Sequence, residues 1–137
     1  MKVAIRYFSR GGNTEKLAKA IEQAINVEAK TVDYKLEEDV DILFLGSSVY
    51  AYGIDEQVKK FIDEIDVHVG RVVNFSTAAL VKSTYHQIHK KLSQKNIPLA
   101  KEEFYCKGSF GVLHKGKPDQ KDIERIQRFA LEQVKKV

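Results

Sequence analysis

"YFSRGGNTEKLAKAI", Tyr7 to Ile21, decides how this chain is read. An apolar run ends at Phe8, two glycines and three hydroxyl or amide side chains follow, and a helical pattern begins. Before the turn, "KVAIRYF" is rich in β-formers and reads as a buried strand. After it, Leu17, Ala20, Ile21, Ala24 and Ile25 recur at helical spacing, with Glu15 in the first turn where a negative charge suits the dipole. A strand, a glycine turn and a helix aim free backbone N–H groups and the positive helix end at one spot. Gly11 and Gly12 let the backbone curl and a ligand approach closely. Ser9, Asn13 and Thr14 add side-chain donors. A plain helix start needs one capping residue, Asn13 or Thr14; the number of converging donors favours an anion site of phosphate size.

Outward from this turn the pattern alternates. "AKTVDY" reads as a short strand at the sheet edge. Val40 to Leu45 is nearly continuous apolar, as in a central parallel strand covered on both faces. Ile54 to Ile65 reads as a helix with Val58, Phe61, Ile62 and Ile65 on one face. "RVVNFSTAAL" is the next strand, Thr84 to Leu92 the next helix, and "KEEFYCKGSFGVL" a further central strand in which Cys106 is packing. Asp119 to Val134 is the last helix, started by Pro118 and Asp119. "DYKLEED" leaves room for a very short helix or none. The order β-α-β-β-α-β-α-β-α predicts one α/β domain over 1–137, a parallel sheet with helices on both faces.

In such a sheet ligands bind beyond the carboxyl ends of the strands. The segments of interest are therefore Ser9–Thr14, Ser47–Gly53, Ser76–Lys82 and Lys107–His114. Gly12 is followed by Asn13 rather than by Lys and Ser or Thr, which disfavours nucleoside triphosphate hydrolysis. The dinucleotide pattern G-x-G-x-x-G is absent. A monophosphate remains.

The 137 residues are 43% hydrophobic and 31% charged, a globular composition. With 23 Lys and Arg against 19 Asp and Glu the net charge is +4, read as a solvated face with a weak attraction for an acidic partner or phosphate. Basic and acidic residues interleave without a nucleic-acid-binding signature, so no nucleic acid is expected. A single cysteine excludes an internal disulfide and suggests a reducing compartment. No stretch approaches the roughly 20 apolar residues of a membrane span, and "MKVAIRYF" lacks the pattern of a signal peptide. The expectation is a cytoplasmic protein away from membranes, monomeric or weakly dimeric. His86 and His89 stand three apart on a helix, but no third metal ligand is evident.

Ser9-Arg10-Gly11-Gly12-Asn13-Thr14 after a first strand resembles the phosphate loop of flavodoxins, S/T-x-T/S-G-x-T. "ILFLGSSVYAYG" resembles the third strand and the loop beside the flavin, "VVNFSTAAL" the fourth strand and second flavin loop, and "GKPDQKDIERIQRFA" the last helix. The resemblance implies a flavodoxin-like three-layer α/β/α sandwich with a five-stranded parallel sheet of order 2-1-3-4-5. It also implies non-covalent FMN. Carried over by position, Ser9, Arg10, Gly11, Gly12, Asn13 and Thr14 hold the phosphate. Ser47, Ser48, Val49, Tyr50, Ala51, Tyr52 and Gly53 flank the isoalloxazine, and Ser76, Thr77, Ala78, Ala79 and Leu80 border its pyrimidine edge. Tyr50 and Tyr52 read either as loop packing or as stacking partners of the ring, and their spacing favours flavin contact. Gly53 reads either as a turn residue or as a peptide able to reorient toward the ring.

Three departures stand out: Gly11 replaces a hydroxyl residue, the chain has no Trp, and it is basic where electron-carrying flavodoxins are usually acidic. Positive charge near the ring predicts a less negative reduction potential than in acidic relatives. The implied function is an FMN protein carrying electrons between redox partner proteins. The alternatives are a small FMN-dependent NAD(P)H oxidoreductase and a flavodoxin-fold binding module without stable flavin.

Overall fold

The computed structural model describes residues 1–48, 53–78, 83–109 and 115–136. Its elements are β1 (Val3–Tyr7), α1 (Asn13–Ile25), β2 (Ala29–Thr31), β3 (Val40–Ser48), α2 (Glu56–Asp63), β4 (Val69–Ala78), α3 (Tyr85–Ser93), β5 (Phe104–Lys107) and α4 (Gln120–Lys135). They follow the order read from the hydrophobic pattern. The strands form one parallel sheet, β2-β1-β3-β4-β5, and thus the expected 2-1-3-4-5 arrangement.

Alternation along β3 splits the core in two. Leu43 and Leu45 face α2 and α3, where they pack with Val58, Phe61, Ile62, Ile88 and Leu92. Ile42 and Phe44 face α1 and α4, where they meet Leu17, Ile21, Ile126 and Ala130. This double coverage explains the unbroken apolar run in β3. No helix separates β2 from β3. The connection 32–39 instead inserts Val32 and Leu36 into the α2–α3 core, so a coil covers the sheet there with two side chains.

One expectation is corrected. The strand around Cys106 is an edge strand, not a central one, because β5 pairs only with β4. Tyr105 is accordingly 36% exposed, and Cys106 is half-buried against the α1–α4 core rather than within it. Burial, and secondarily the Asp122 carboxylate, push the Cys106 thiol up to about 12. The start of α1 goes against the plain-cap alternative for its turn. Its N-cap is Gly12, and neither Asn13 nor Thr14 caps it.

Candidate functional site

The site grows from the end of β1. Gly12 takes φ 90°, a left-handed backbone that glycine adopts without strain. This turns the chain sharply into α1. Ser9 Oγ accepts the Gly12 amide at 3.0 Å and holds the turn. The Cβ directions of both Gly11 and Gly12 meet no heavy atom of the described residues within 4 Å. No side chain caps α1. The first-turn amides of a helix have no intrahelical partner, so the start of α1 keeps donors and a positive dipole end for a ligand.

The side chains around this turn divide by role. Arg10 is exposed and reaches across to Asp55, Nη2 to Oδ2 at 2.5 Å. Asp55 in turn caps α2, accepting from the Gln57 amide at 2.9 Å. Burial opposes its charged form, but the Gln57 amide and Arg10 outweigh it and hold the carboxyl below its usual range. Asn13 points to the other side, donating Nδ2–H to the Ser109 carbonyl at 2.9 Å. Gly108 makes room for it, since a Cβ there would lie 2.7 Å from Asn13 Nδ2. The turn is thereby tied to the start of α2 by Arg10 and to the chain after β5 by Asn13.

Beneath the turn, Thr14 is fully buried. Its hydroxyl lies 3.0 Å from Thr77 Oγ1, 3.3 Å from Ser48 Oγ and 3.4 Å from the Ser47 carbonyl. The β3–β4 register sets Ser48 opposite Thr77, which places three hydroxyls from α1, β3 and β4 in one cluster. Gly46 makes the approach possible: a Cβ there would fall 2.3 Å from the Phe75 ring and 3.0 Å from Thr14 Cγ2. Ser47 and Ser76 point to the opposite face. Ser47 Oγ donates to Thr84 Oγ1 at 3.0 Å, and Ser76 Oγ accepts the Thr84 amide at 3.4 Å. Asn74 completes this second network, its Nδ2 3.1 Å from Thr84 Oγ1 and 3.3 Å from Glu103. Below α1, Tyr7 donates to Glu15 at 3.0 Å; burial, then that carboxylate, push its phenol up to about 12.

Ser9, Arg10, Gly11, Gly12, Asn13, Thr14, Ser48 and Thr77 are thus brought together at the carboxyl ends of β1, β3 and β4. Ala78 ends β4 in a buried position. Gly53 holds φ 115°, left-handed backbone that suits both a turn and a reorienting peptide. Val49, Tyr50, Ala51, Tyr52, Ala79 and Leu80 lie outside the described residues. Ser76 is turned into the α3 side, so its side chain belongs to the core network rather than to the turn. Asp55, Ser109 and Gly46 escaped the sequence reading. Asp55 is recognisable as a helix start, but its pairing with Arg10 spans 45 positions and leaves no local signature. Among the described residues no group of three or more potential ligands fits a metal ion. No described helix is long and apolar enough to cross a membrane.

The family model for a flavodoxin domain matches residues 4–115. An uncharacterized protein of Methanocaldococcus jannaschii is 33% identical over 146 residues, spanning 95% of this chain and 96% of that one. Among solved structures, a flavodoxin from the domain Archaea superposes with a TM-score of 0.74 at 21% identity, over 99% of this chain and 98% of its own. Oxidised flavodoxin 1 of Bacillus cereus superposes with a TM-score of 0.76 at 19% identity, over 100% of this chain and 99% of its own.

Proposed function

The chain belongs to the flavodoxin domain family, and from that premise we propose that it binds FMN at the carboxyl end of its sheet and carries electrons between redox partner proteins. The observation that carries the proposal is the start of α1, where two glycines leave room in front of a helix end that no side chain caps. That is the donor set a phosphomonoester dianion needs. It also answers the missing hydroxyl at Gly11: backbone amides and the helix end supply donors without it.

Bound FMN supplies the redox chemistry, and the protein sets its position and surroundings. In this reading Ser9 holds the turn, the α1 amides take the phosphate oxygens, and Arg10 places a guanidinium beside them while anchored on Asp55. Asn13 and Thr14 keep the turn fixed through Ser109 and through the Ser48–Thr77 hydroxyls. Three of the four strand-to-helix connections, 8–12, 49–55 and 79–84, are short, and only 108–119 is longer, which favours a carrier over a reductase with a substrate lid.

FMN titrated into flavin-free protein should lose its fluorescence with a stoichiometry of one. The absence of both quenching and heat overturns the proposal. With flavin bound, anaerobic NADH or NADPH alone should leave the yellow colour. Bleaching by the nucleotide would replace the carrier with an oxidoreductase.

A further inference from the structure

The sheet order 2-1-3-4-5 reverses between β1 and β3: the chain leaves β1 for β2 on one side and returns to β3 on the other. In an open parallel sheet that reversal leaves a crevice beyond the carboxyl ends of the two strands. Its walls here are the connection 8–12, which leads into α1, and the connection 49–55, which leads into α2. The two helices belong to opposite layers. α1 packs with α4 on one face of the sheet, and α2 packs with α3 on the other.

An ion pair crosses from one wall to the other. Arg10 in the first connection meets Asp55 at the end of the second, Nη2 to Oδ2 at 2.5 Å. The two partners are held differently. The Asp55 side chain is 9% exposed, and its other oxygen, Oδ1, accepts the Gln57 amide at 2.9 Å, so the carboxylate is fixed to the start of α2. The Arg10 side chain is 64% exposed and is followed by Gly11 and Gly12. Beneath the pair, α1 is already joined to β3 and β4 by the buried hydroxyls of Thr14, Ser48 and Thr77. Arg10 and Asp55 add a second link nearer to solvent, in which one partner is fixed and the other is long and exposed. Such a link can open and re-form without disturbing the packing below it.

We propose that the Arg10–Asp55 pair is a strap across the mouth of the ligand crevice, with Asp55 as its fixed anchor and Arg10 as its moving arm, opening to admit a flavin nucleotide and re-forming once it is in place. The inference rests on the FMN reading above, which puts the phosphate at the start of α1, within the same turn as Arg10. A strap that closes alike in the empty and the loaded protein slows entry and release by the same factor. The modest strength of an accessible ion pair sets that factor at roughly threefold.

Asp55→Asn tests it, because Asn caps a helix about as well as Asp while the ion pair is lost. FMN is mixed with the flavin-free full chain in a stopped-flow instrument, where loss of its fluorescence gives the entry rate. Dilution of the loaded protein, where fluorescence returns, gives the release rate. Both rates should rise about threefold in the variant. Charge alone predicts another pattern, since losing a carboxylate beside an anion site speeds entry and slows release. Glu56→Gln makes that charge change one residue away, on a side chain that pairs with Lys59, and should show the charge pattern only. If Asp55 did no more than hold Arg10 against the phosphate, its loss would speed release and leave entry as it was. Unchanged rates, either of those two patterns in Asp55→Asn, or equal effects of the two variants overturn the strap. If the native protein takes up no FMN, the binding reading fails and the strap falls with it. Native uptake with any of the contrary rate patterns removes the strap alone.

Discussion

The starts of α1 and α4 lie side by side and are built in opposite ways. α4 is closed: Asp119 accepts the Asp122 amide at 3.0 Å, and Asp122 accepts the Asp119 amide at 2.9 Å. Lys117 adds a cation 2.7 Å from Asp119. α1 is open: glycine occupies the capping position and no side chain takes the amides. A closed helix start contributes to stability. An open one gives up that contribution and keeps its donors for a ligand. The same chain uses both solutions within one end of the fold, so the open start is a feature of that turn and not of the chain's composition.

The sharpest way to break this contrast is to close α1 in the manner of α4. Gly12→Asp places a carboxylate where the phosphate oxygens would sit. FMN affinity measured by fluorescence titration should fall about a hundredfold, or about 2.8 kcal/mol, and the unfolding midpoint should fall as well, because a side chain at φ 90° is strained. An unchanged affinity would mean that the α1 turn is not the phosphate site.

A smaller effect is expected from the tether beside it. Asn13→Ala removes the link to the Ser109 carbonyl and should weaken FMN about tenfold in the same titration. If binding is untouched, the turn is held by Ser9 and Arg10 alone.

Opening α4 tests the other half of the comparison. Asp119→Ala removes the cap and should lower the thermal midpoint by a few degrees, with FMN affinity within about twofold of the native protein. The effect carries a pH signature. Lys117 and the Asp122 amide hold the Asp119 carboxyl down at about 2, against an ordinary value of 3.8. Its contribution is therefore complete above about pH 4 and lost as pH falls toward 2. The gap in midpoint between native protein and variant should narrow through that window. A gap that widens on acidification would contradict the assignment.

The least effect concerns the thiol beside α4. Cys106 should alkylate slowly with iodoacetamide even at pH 9, since burial is the larger cause of its raised value. Asp122→Asn should speed the reaction only modestly. A large acceleration would make the carboxylate, not burial, the controlling factor.

Much of the fold is legible because periodicity is local. The i, i+3, i+4 spacing of Leu17, Ala20 and Ile21 and the continuous run through β3 each report what their own neighbours must bury. The edge position of β5 was misread because Phe104 and Cys106 look like any half-buried strand. Whether a fifth strand has one neighbour or two depends on where the chain stops adding strands. In the candidate site, the glycines and hydroxyls of 9–14 announce themselves in sequence. The Arg10–Asp55 pair, the Asn13–Ser109 link and the fit of Phe75 beside Gly46 do not, because each joins residues that are distant along the chain.

What the amino-acid order settles, then, is the alternation of elements, the sharp glycine turn after β1 and the family to which that turn belongs. These follow from short-range sterics and from the spacing of apolar residues. Folding alone settles that Thr14 is buried against Ser48 and Thr77, and that Ser76 faces away from the turn. Side-chain partners depend on which residues parallel pairing brings to the same end, and no local window contains that information.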